Sequence, residues 1–392
     1  MNPVLSELGG YPLAAYQDLK RELAADGAPL HDFSIGDPIE PTPAFIRNAL
    51  VDGLPPISQY PTAAGLSELR VAIASWVERR FKVVLDPERE VLPTAGSKEA
   101  IFHLPLGLLD AGGQRTSVLW GTPGYPVYER GFRFAGGHSD PVTLDAADGW
   151  RLDLGSVERD RLDRACLAWV NYPHNPTGAT VDLDVHRVNL DVARRNDIVL
   201  ASDECYVDIH PPGAEPPPSL LQAAGDDRSG VLVAYSLSKR SGMTGYRSGA
   251  LVGDADLIAA QRILRPNIGT ASPEFVQHAA VAAWSDDAHV AARREVFEHK
   301  RAIILAFADR AGLRLSGSGA TFYLWMAAPG GDDMAYARAL LHERVVVSPG
   351  RAFGRGGRGW LRLALVPSAD GCHAAVEAWS AAIAAGRLPG HD

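Results

Sequence analysis

A lysine directly behind an apolar run of strand length is an unusual placement, because desolvation disfavours its charged form. Lys239 stands there, in Tyr235-Ser-Leu-Ser-Lys-Arg-Ser-Gly-Met-Thr-Gly-Tyr-Arg247, after the run Val231–Tyr235. A lowered pKa keeps the amine neutral and nucleophilic, which suits a Schiff base with a carbonyl. Ser236, Ser238, Arg240 and Arg247 supply hydroxyl and guanidinium donors of the kind that hold a phosphate. The other reading of the same residues is a solvated turn at a strand end.

Four further segments each carry a chemical and a structural reading. Asp203 follows Ile198–Ala201 in Ala201-Ser-Asp-Glu-Cys-Tyr206. An acid at the C-terminal end of a parallel strand stands where ligands bind in open α/β sheets, although it also serves as a cap. It could keep a cofactor ring nitrogen protonated. Asn175 lies in Asn171-Tyr-Pro-His-Asn-Pro-Thr-Gly178, a turn stiffened by two X-Pro bonds and ended by glycine. Its amide could donate to a phenolate-like oxygen, or the turn could be purely structural. Ala95-Gly-Ser-Lys-Glu-Ala100 opens an apolar helical run. Free N–H groups and the helix dipole there attract an anion, as at many ordinary helix starts. Gly121-Thr-Pro-Gly-Tyr-Pro-Val-Tyr128 brings Tyr125 to the strand ends, as a flat surface for a ring or as a packed loop aromatic.

Strands must alternate with helices to bring these segments to one place. Short apolar runs at Ser117–Trp120, Cys166–Val170, Ile198–Ala201, Val231–Tyr235 and Ala250–Val252 are separated by helical patterns such as Leu183–Arg195 and Asp254–Leu264. That order implies right-handed crossovers and a mostly parallel sheet flanked by helices. Earlier, Leu66–Val83 carries a helical stripe, and Thr42-Pro43 has the form of a capping residue with proline at the first helical position. Beyond residue 285 come a long helix over Asp287–Arg310, strands near Phe322–Met326 and Trp360–Val366, and helices near Ala335–His342 and Ala374–Ala385. These predict a smaller α+β domain. The proline-dense stretch His210–Pro218 reads as a surface loop. The expected division is an N-terminal segment 1–45 joining the small domain, a large domain 46–285 and a small domain 286–392.

Composition narrows the function classes. The chain has 392 residues, 46% of them apolar and 22% charged, so a folded chain with a large core is expected. Its formal charge of −9 argues against nucleic acid and against an anionic membrane as partners. Cys166, Cys205 and Cys372 lie far apart with no C-x-x-C, so neither a disulfide framework nor a thiolate metal site is indicated. Met1–Gly10 lacks the charged-then-apolar order of a signal peptide, and a cytoplasmic protein is expected. P-loop, H-E-x-x-H and G-x-S-x-G patterns are absent, and Gly354-Arg-Gly-Gly-Arg-Gly359 leads into a strand instead of opening a helix.

Taken together, in this order and spacing, the five segments resemble the fold-type I pyridoxal-phosphate enzymes, specifically the class I/II aminotransferases. Ser236 lies three residues before Lys239 and Arg247 eight after, Asp203 and Tyr206 form a D-x-x-Y, and Asn175 begins N-P-T-G. The resemblance covers essentially the whole chain. It implies pyridoxal 5′-phosphate as cofactor, with Lys239 carrying it as a Schiff base and moving the substrate proton. It implies further that Asp203 holds the ring nitrogen protonated, Asn175 and Tyr206 bond the ring hydroxyl oxygen, and Tyr125 stacks on the ring. The Gly96-Ser97-Lys98 helix start, Ser236 and Arg247 would cup the phosphate. Tyr60, in Gln59-Tyr-Pro-Thr-Ala-Ala-Gly65, matches the tyrosine that reaches the phosphate from a second subunit, which implies a homodimer with shared sites. Arg362, in Trp360-Leu-Arg-Leu-Ala-Leu365, matches the clamp for the substrate α-carboxylate, and Gly36, in Ser34-Ile-Gly-Asp-Pro38, the segment that closes over substrate.

The strings Ser202–Tyr206, Tyr235–Ser241, Ala271–Gln277 and Ala320–Trp325 look most like the N-succinyldiaminopimelate aminotransferases of lysine biosynthesis. That resemblance implies L-glutamate and N-succinyl-2-amino-6-oxopimelate as the reacting pair. The short segment Pro349–Gly357 departs from this branch, where a longer insertion is common, and leaves open another amino acid in a specialised pathway. Arg265 aligns loosely with an arginine that the aspartate aminotransferases use across the dimer for a second carboxylate. Its other reading is a helix-end arginine favoured by the dipole. Two rivals stand beside it: a pyridoxal-phosphate oxidase, lyase or decarboxylase on the same fold, and a non-catalytic regulator, which is disfavoured because such proteins append a basic DNA-binding domain whereas this sequence opens on the enzyme's own N-terminal segment.

Overall fold

A computed structural model describes residues 2–7 and 14–391. Met1 and Leu8–Gly10 of the stretch read for a signal peptide lie outside the described residues. In chain order the strands are β1 (His31–Asp32), β2 (Val91–Thr94), β3 (Ser117–Thr122), β4 (His138–Thr143), β5 (Ala165–Val170), β6 (Val199–Asp203), β7 (Val231–Ser236) and β8 (Gly249–Gly253). They continue as β9 (Tyr323–Ala327), β10 (Val345–Val346), β11 (Ser348–Pro349) and β12 (Trp360–Ala364).

Seven strands form one sheet in the order β2-β8-β7-β6-β5-β3-β4. All neighbouring pairs are parallel except those made by β8, which runs against both β2 and β7. Every residue of β7 and β8 is buried, which is why these strands read as unbroken apolar runs and not as alternating ones. β2 and β4 do not read as apolar runs: β2 is four residues with a proline, and β4 is a half-exposed edge, His-Ser-Asp-Pro-Val-Thr. The helices expected at Leu66–Val83, Leu183–Arg195 and Asp254–Leu264 occupy Ser67–Phe81, Leu183–Arg195 and Ala255–Ile268.

The strand order reverses at β3. From β3 the chain goes outward to β4 and then returns to β5 on the other side, so the loops after β3 and β5 diverge. Such a switch point opens a crevice at the C-terminal strand ends. The segments after β3, β5, β6 and β7 are those that carry Tyr125, Asn175, Tyr206 and Lys239.

A second sheet, β11-β12-β9, is antiparallel throughout, and β1 pairs in parallel with β10. The helix Ala288–Arg310 is about 35 Å long and buries Phe297, Ile304 and Phe307 in the apolar cluster of this smaller body. Trp284, four residues before that helix, belongs to the cluster of the larger one. Near the N-terminus the helix is Ala44–Asp52, with Pro43 at the capping position and no side-chain cap. Thr42 does not cap it. Its hydroxyl donates instead to Gly242 O across 2.6 Å, which ties the N-terminal segment to the loop after Lys239.

Candidate active site

The strand ends converge on a cavity of about 1060 Å³ between the two bodies. Lys239 projects into it from the short helix Leu237–Arg240, which Ser236 starts by accepting a bond from Ser238 N at 3.1 Å. Burial lowers the Lys239 pKa, as do the positive charges of Arg362 and Arg247, while Cys205 and Asp37 oppose them. Its ammonium donates to the backbone oxygen of Gly36.

Asp203 closes β6 and is almost fully buried. Burial raises its pKa, and the Tyr128 hydroxyl, donating to Oδ2 at 2.9 Å, and Cys205 N, donating to Oδ1 at 3.3 Å, work against that rise. A cationic N–H set against this carboxylate would reverse the shift. Asn171 supports the same spot, its amide donating to Asp203 O at 2.6 Å while its Oδ1 accepts from Asn175 N at 2.9 Å. Asn175 is thereby fixed at the cavity wall, and Tyr206 lines the wall beside it.

Opposite these lies an anion cradle. Gly96 has φ +84°, and a Cβ there would come within 2.7 Å of Arg247 Nη2, so glycine lets the guanidinium lie against the loop. Arg247 itself has φ 56°, a left-handed conformation costly for a long side chain. Among the described residues it donates only to backbone oxygens, those of Thr244 at 2.9 Å and Ala95 at 3.2 Å. Ser97, Lys98, Ser236 and Ser238 line the same part of the cavity. Among the described residues no carboxylate pairs with Arg247 or with Arg362, so both guanidiniums present uncompensated charge to the cavity.

Arg362 stands on β12, 7% exposed. It donates to Asn175 Oδ1 at 3.0 Å and to Ser34 O at 2.8 Å, its Nε has no partner, and Tyr323 and Phe353 flank its guanidinium with ring centroids at 4.4 and 4.5 Å. Gly36 faces Tyr323 so closely that a Cβ would lie 2.1 Å from the phenol oxygen. Tyr125 lines the wall with Lys98 Nζ 5.9 Å from its ring centre.

Two of the sequence expectations, Arg240 and Arg265, are placed elsewhere. Arg240 does not face the cradle; it turns into the core onto Asp208 at 2.8 Å and Asp287 at 2.6 Å. Arg265 is also turned inward, 2% exposed, with Nη1 on both oxygens of Glu99 at 2.7 and 2.9 Å, and it is not part of the cavity wall. The buried carboxylate attracts it more strongly than a helix end facing solvent would. Tyr60 is fully exposed and lies outside this chain's own cavity wall, as a residue that serves a second subunit would. Conversely, sequence reasoning does not single out Tyr128, Tyr323 or Glu129. Tyr128 stands on the helix Val127–Phe134, and Tyr323 shares a sheet face with Arg362 through the β9–β12 register, relations that long-range contacts set and local spacing does not show.

Residues 29–378 match the model of the family described as aminotransferase class I and II. The chain belongs to that family. It is 36% identical over 366 residues to LL-diaminopimelate aminotransferase of Nitratidesulfovibrio vulgaris (strain DP4), covering 92% of this chain and 93% of the relative. An aminotransferase of Neisseria meningitidis Z2491 superposes with a TM-score of 0.91 at 34% identity, covering 97% of this chain and all of that one. Aspartate aminotransferase from Thermus thermophilus with maleate superposes with a TM-score of 0.88 at 26% identity, over 97% and 99% of the two chains. This class I/II aminotransferase therefore uses pyridoxal 5′-phosphate and has the fold-type I architecture expected of it. The cradle without a carboxylate, the buried Asp203 and the lysine with a lowered pKa together fit that cofactor's phosphate, ring nitrogen and carbonyl carbon. No helix among the described residues is long and apolar enough to cross a membrane.

Proposed function

We propose that this aminotransferase moves the amino group between L-glutamate and an oxo acid of the diaminopimelate series, as a step of lysine biosynthesis. The observation that carries the reading is the meeting of Lys239 and the carboxylate-free, buried Arg362 on one cavity. The bound cofactor supplies the carbonyl that takes up the amino group and a ring that draws off electron density. The rest falls to the protein. Arg362 binds the α-carboxylate as a fork and so orients the Cα–H bond. Lys239, whose pKa burial lowers, would take the proton from Cα and return it. Asp203 holds the ring nitrogen, Asn175 and Tyr206 the ring oxygen, and Gly96, Ser97, Lys98, Ser236 and Arg247 the phosphate, with Tyr125 against the ring face.

Glu129 and Arg130 line the same cavity and would offer both signs of charge to the far end of a substrate. Free LL-diaminopimelate carries an ammonium and a carboxylate there, and it is the substrate named for the Nitratidesulfovibrio relative. That favours it over the N-succinyl compound that the sequence strings bring to mind, whose distal nitrogen is an uncharged amide. The division at residues 45 and 285, a homodimer in which Tyr60 reaches the partner's phosphate, and a cytoplasmic location are parts of the same proposal. The exposed Tyr60, Ile57, Ile39 and Leu54 support a partnered face, and three unpaired cysteines support a reducing compartment.

The first test is an absorbance scan of the holoenzyme before and after L-glutamate. Loss of the visible cofactor band without any second substrate is the expected half-reaction, and an unchanged band removes glutamate as donor. LL-diaminopimelate and its N-succinyl derivative are then compared as donors to 2-oxoglutarate. Faster glutamate formation from the N-succinyl compound would replace the first substrate by the second.

A further inference from the structure

Tyr323 touches more of the cavity's working parts than any role assigned above requires. It is 2% exposed, on β9, one register step diagonally from Arg362 on β12. Its hydroxyl lies 2.9 Å from the hydroxyl of Tyr206, and its ring carries the Arg362 guanidinium at 4.4 Å. Gly36, whose backbone oxygen accepts from Lys239, is packed against the same phenol oxygen with no room for a side chain. Resting on the aminotransferase reading, we propose that Tyr323 is the positioning residue that joins the carboxylate clamp to the phenol facing the cofactor's ring oxygen. Its ring holds Arg362, and its hydroxyl donates to Tyr206, leaving Tyr206's own proton directed into the cavity.

Two hydroxyls 2.9 Å apart share one hydrogen bond, and its polarity decides what Tyr206 has left to give. If Tyr206 were the donor, its only proton would be spent on Tyr323. The more acidic phenol is the better donor, and here the two are not equivalent. The Arg362 guanidinium lies 4.4 Å from the centre of the Tyr323 ring, and a positive charge that close favours ionisation of Tyr323 over that of Tyr206. Tyr323 therefore donates. A guanidinium stacked on its face strengthens that preference and is itself held in place by the ring.

The test uses the holoenzyme with Tyr323→Phe and Tyr323→Leu. The first readout is the pH midpoint of the visible cofactor band, which a donor to the ring oxygen lowers by stabilising its ionised form. In Tyr323→Phe the Tyr206 phenol loses its polarising partner, so the midpoint moves up while KM for L-glutamate barely changes, because the ring under Arg362 is kept. In Tyr323→Leu the midpoint moves up equally and KM rises about fivefold, the value of one lost cation–π contact. A midpoint that moves down in Tyr323→Phe shows the opposite polarity, and an unmoved midpoint shows no coupling; either overturns the inference. If the leucine variant does not fold, the phenylalanine variant still decides it. The wild-type response to L-glutamate, scored separately, tests the aminotransferase reading independently of the midpoint.

Discussion

Arg362 and Asn175 share a hydrogen bond, Nη1 to Oδ1 at 3.0 Å, that ties a strand of the smaller sheet to the turn after β5 of the larger one. The second terminal nitrogen is held by Ser34 O at 2.8 Å. The guanidinium is thus oriented before any substrate arrives, and the cost of ordering a long side chain is met in the folded protein and not on binding.

Arg362→Lys keeps the charge and loses the fork. Charge-assisted bonds of this kind contribute about 1.5–3 kcal/mol each, so KM for L-glutamate should rise roughly 10- to 100-fold. Steady-state kinetics decide it, and a KM within about twofold of wild type would remove Arg362 from the carboxylate. Asn175→Ala in the same background should add less than it does alone, because the two residues are in contact.

The Tyr128 hydroxyl on Asp203 gives a second expectation. It is a buried bond to a group whose pKa burial pushes up and this donor pulls down. In Tyr128→Phe the carboxylate loses that support and is held less firmly in its ionised form. Cofactor affinity should fall about fivefold, in line with roughly 1 kcal/mol for a hydrogen bond. Titrating the apoenzyme with pyridoxal 5′-phosphate measures it; unchanged affinity would show that Asn171 and Cys205 suffice.

What the sequence discloses of this site depends on the kind of signal each residue leaves. Lys239, Asp203 and Asn175 stand directly behind buried parallel strands, and a run of apolar residues ended by one polar group is visible in a single sequence. Tyr323 and Tyr128 leave no such mark. Both are aromatic residues in aromatic-rich stretches, and their roles come from contacts with partners 117 and 75 residues away. β4 was hidden because an edge strand with one wet face need not be apolar. Arg240 and Arg265 were legible as arginines but not as partners of Asp208 and Glu99, since nothing local shows which carboxylate a long side chain will find.

Arg265 follows from that last point. With Glu99 it forms a pair 3% and 10% exposed at the side chains, and Glu99 also contacts His103 at 3.0 Å. Removing one partner of a buried pair leaves the other charge uncompensated and costs about 3–5 kcal/mol. Arg265→Ala should therefore lower the thermal midpoint by several degrees while KM for L-glutamate in the folded fraction stays near wild type. A variant of full stability with a raised KM would return Arg265 to the substrate, as the loose sequence match suggested.

Glu204 gives an expectation that is purely one of pH. It is 1% exposed and accepts from Leu220 N at 2.8 Å through Oε1. Burial raises its pKa from 4.5 to about 7, against the backbone of Leu220 and the side chains of Ser219, Ser202 and Tyr235. Between those two values the folded chain holds a proton that the unfolded chain has released, so stability falls as pH rises across that window. Above it the penalty is complete. Glu204→Gln keeps the acceptor for Leu220 and cannot ionise. Its stability should match wild type at acidic pH near 4.5 and exceed it by about 3 kcal/mol at pH 8 or above. Calorimetry at the two ends of the range measures the difference, and a gap independent of pH would mean that Glu204 stays in one protonation state throughout.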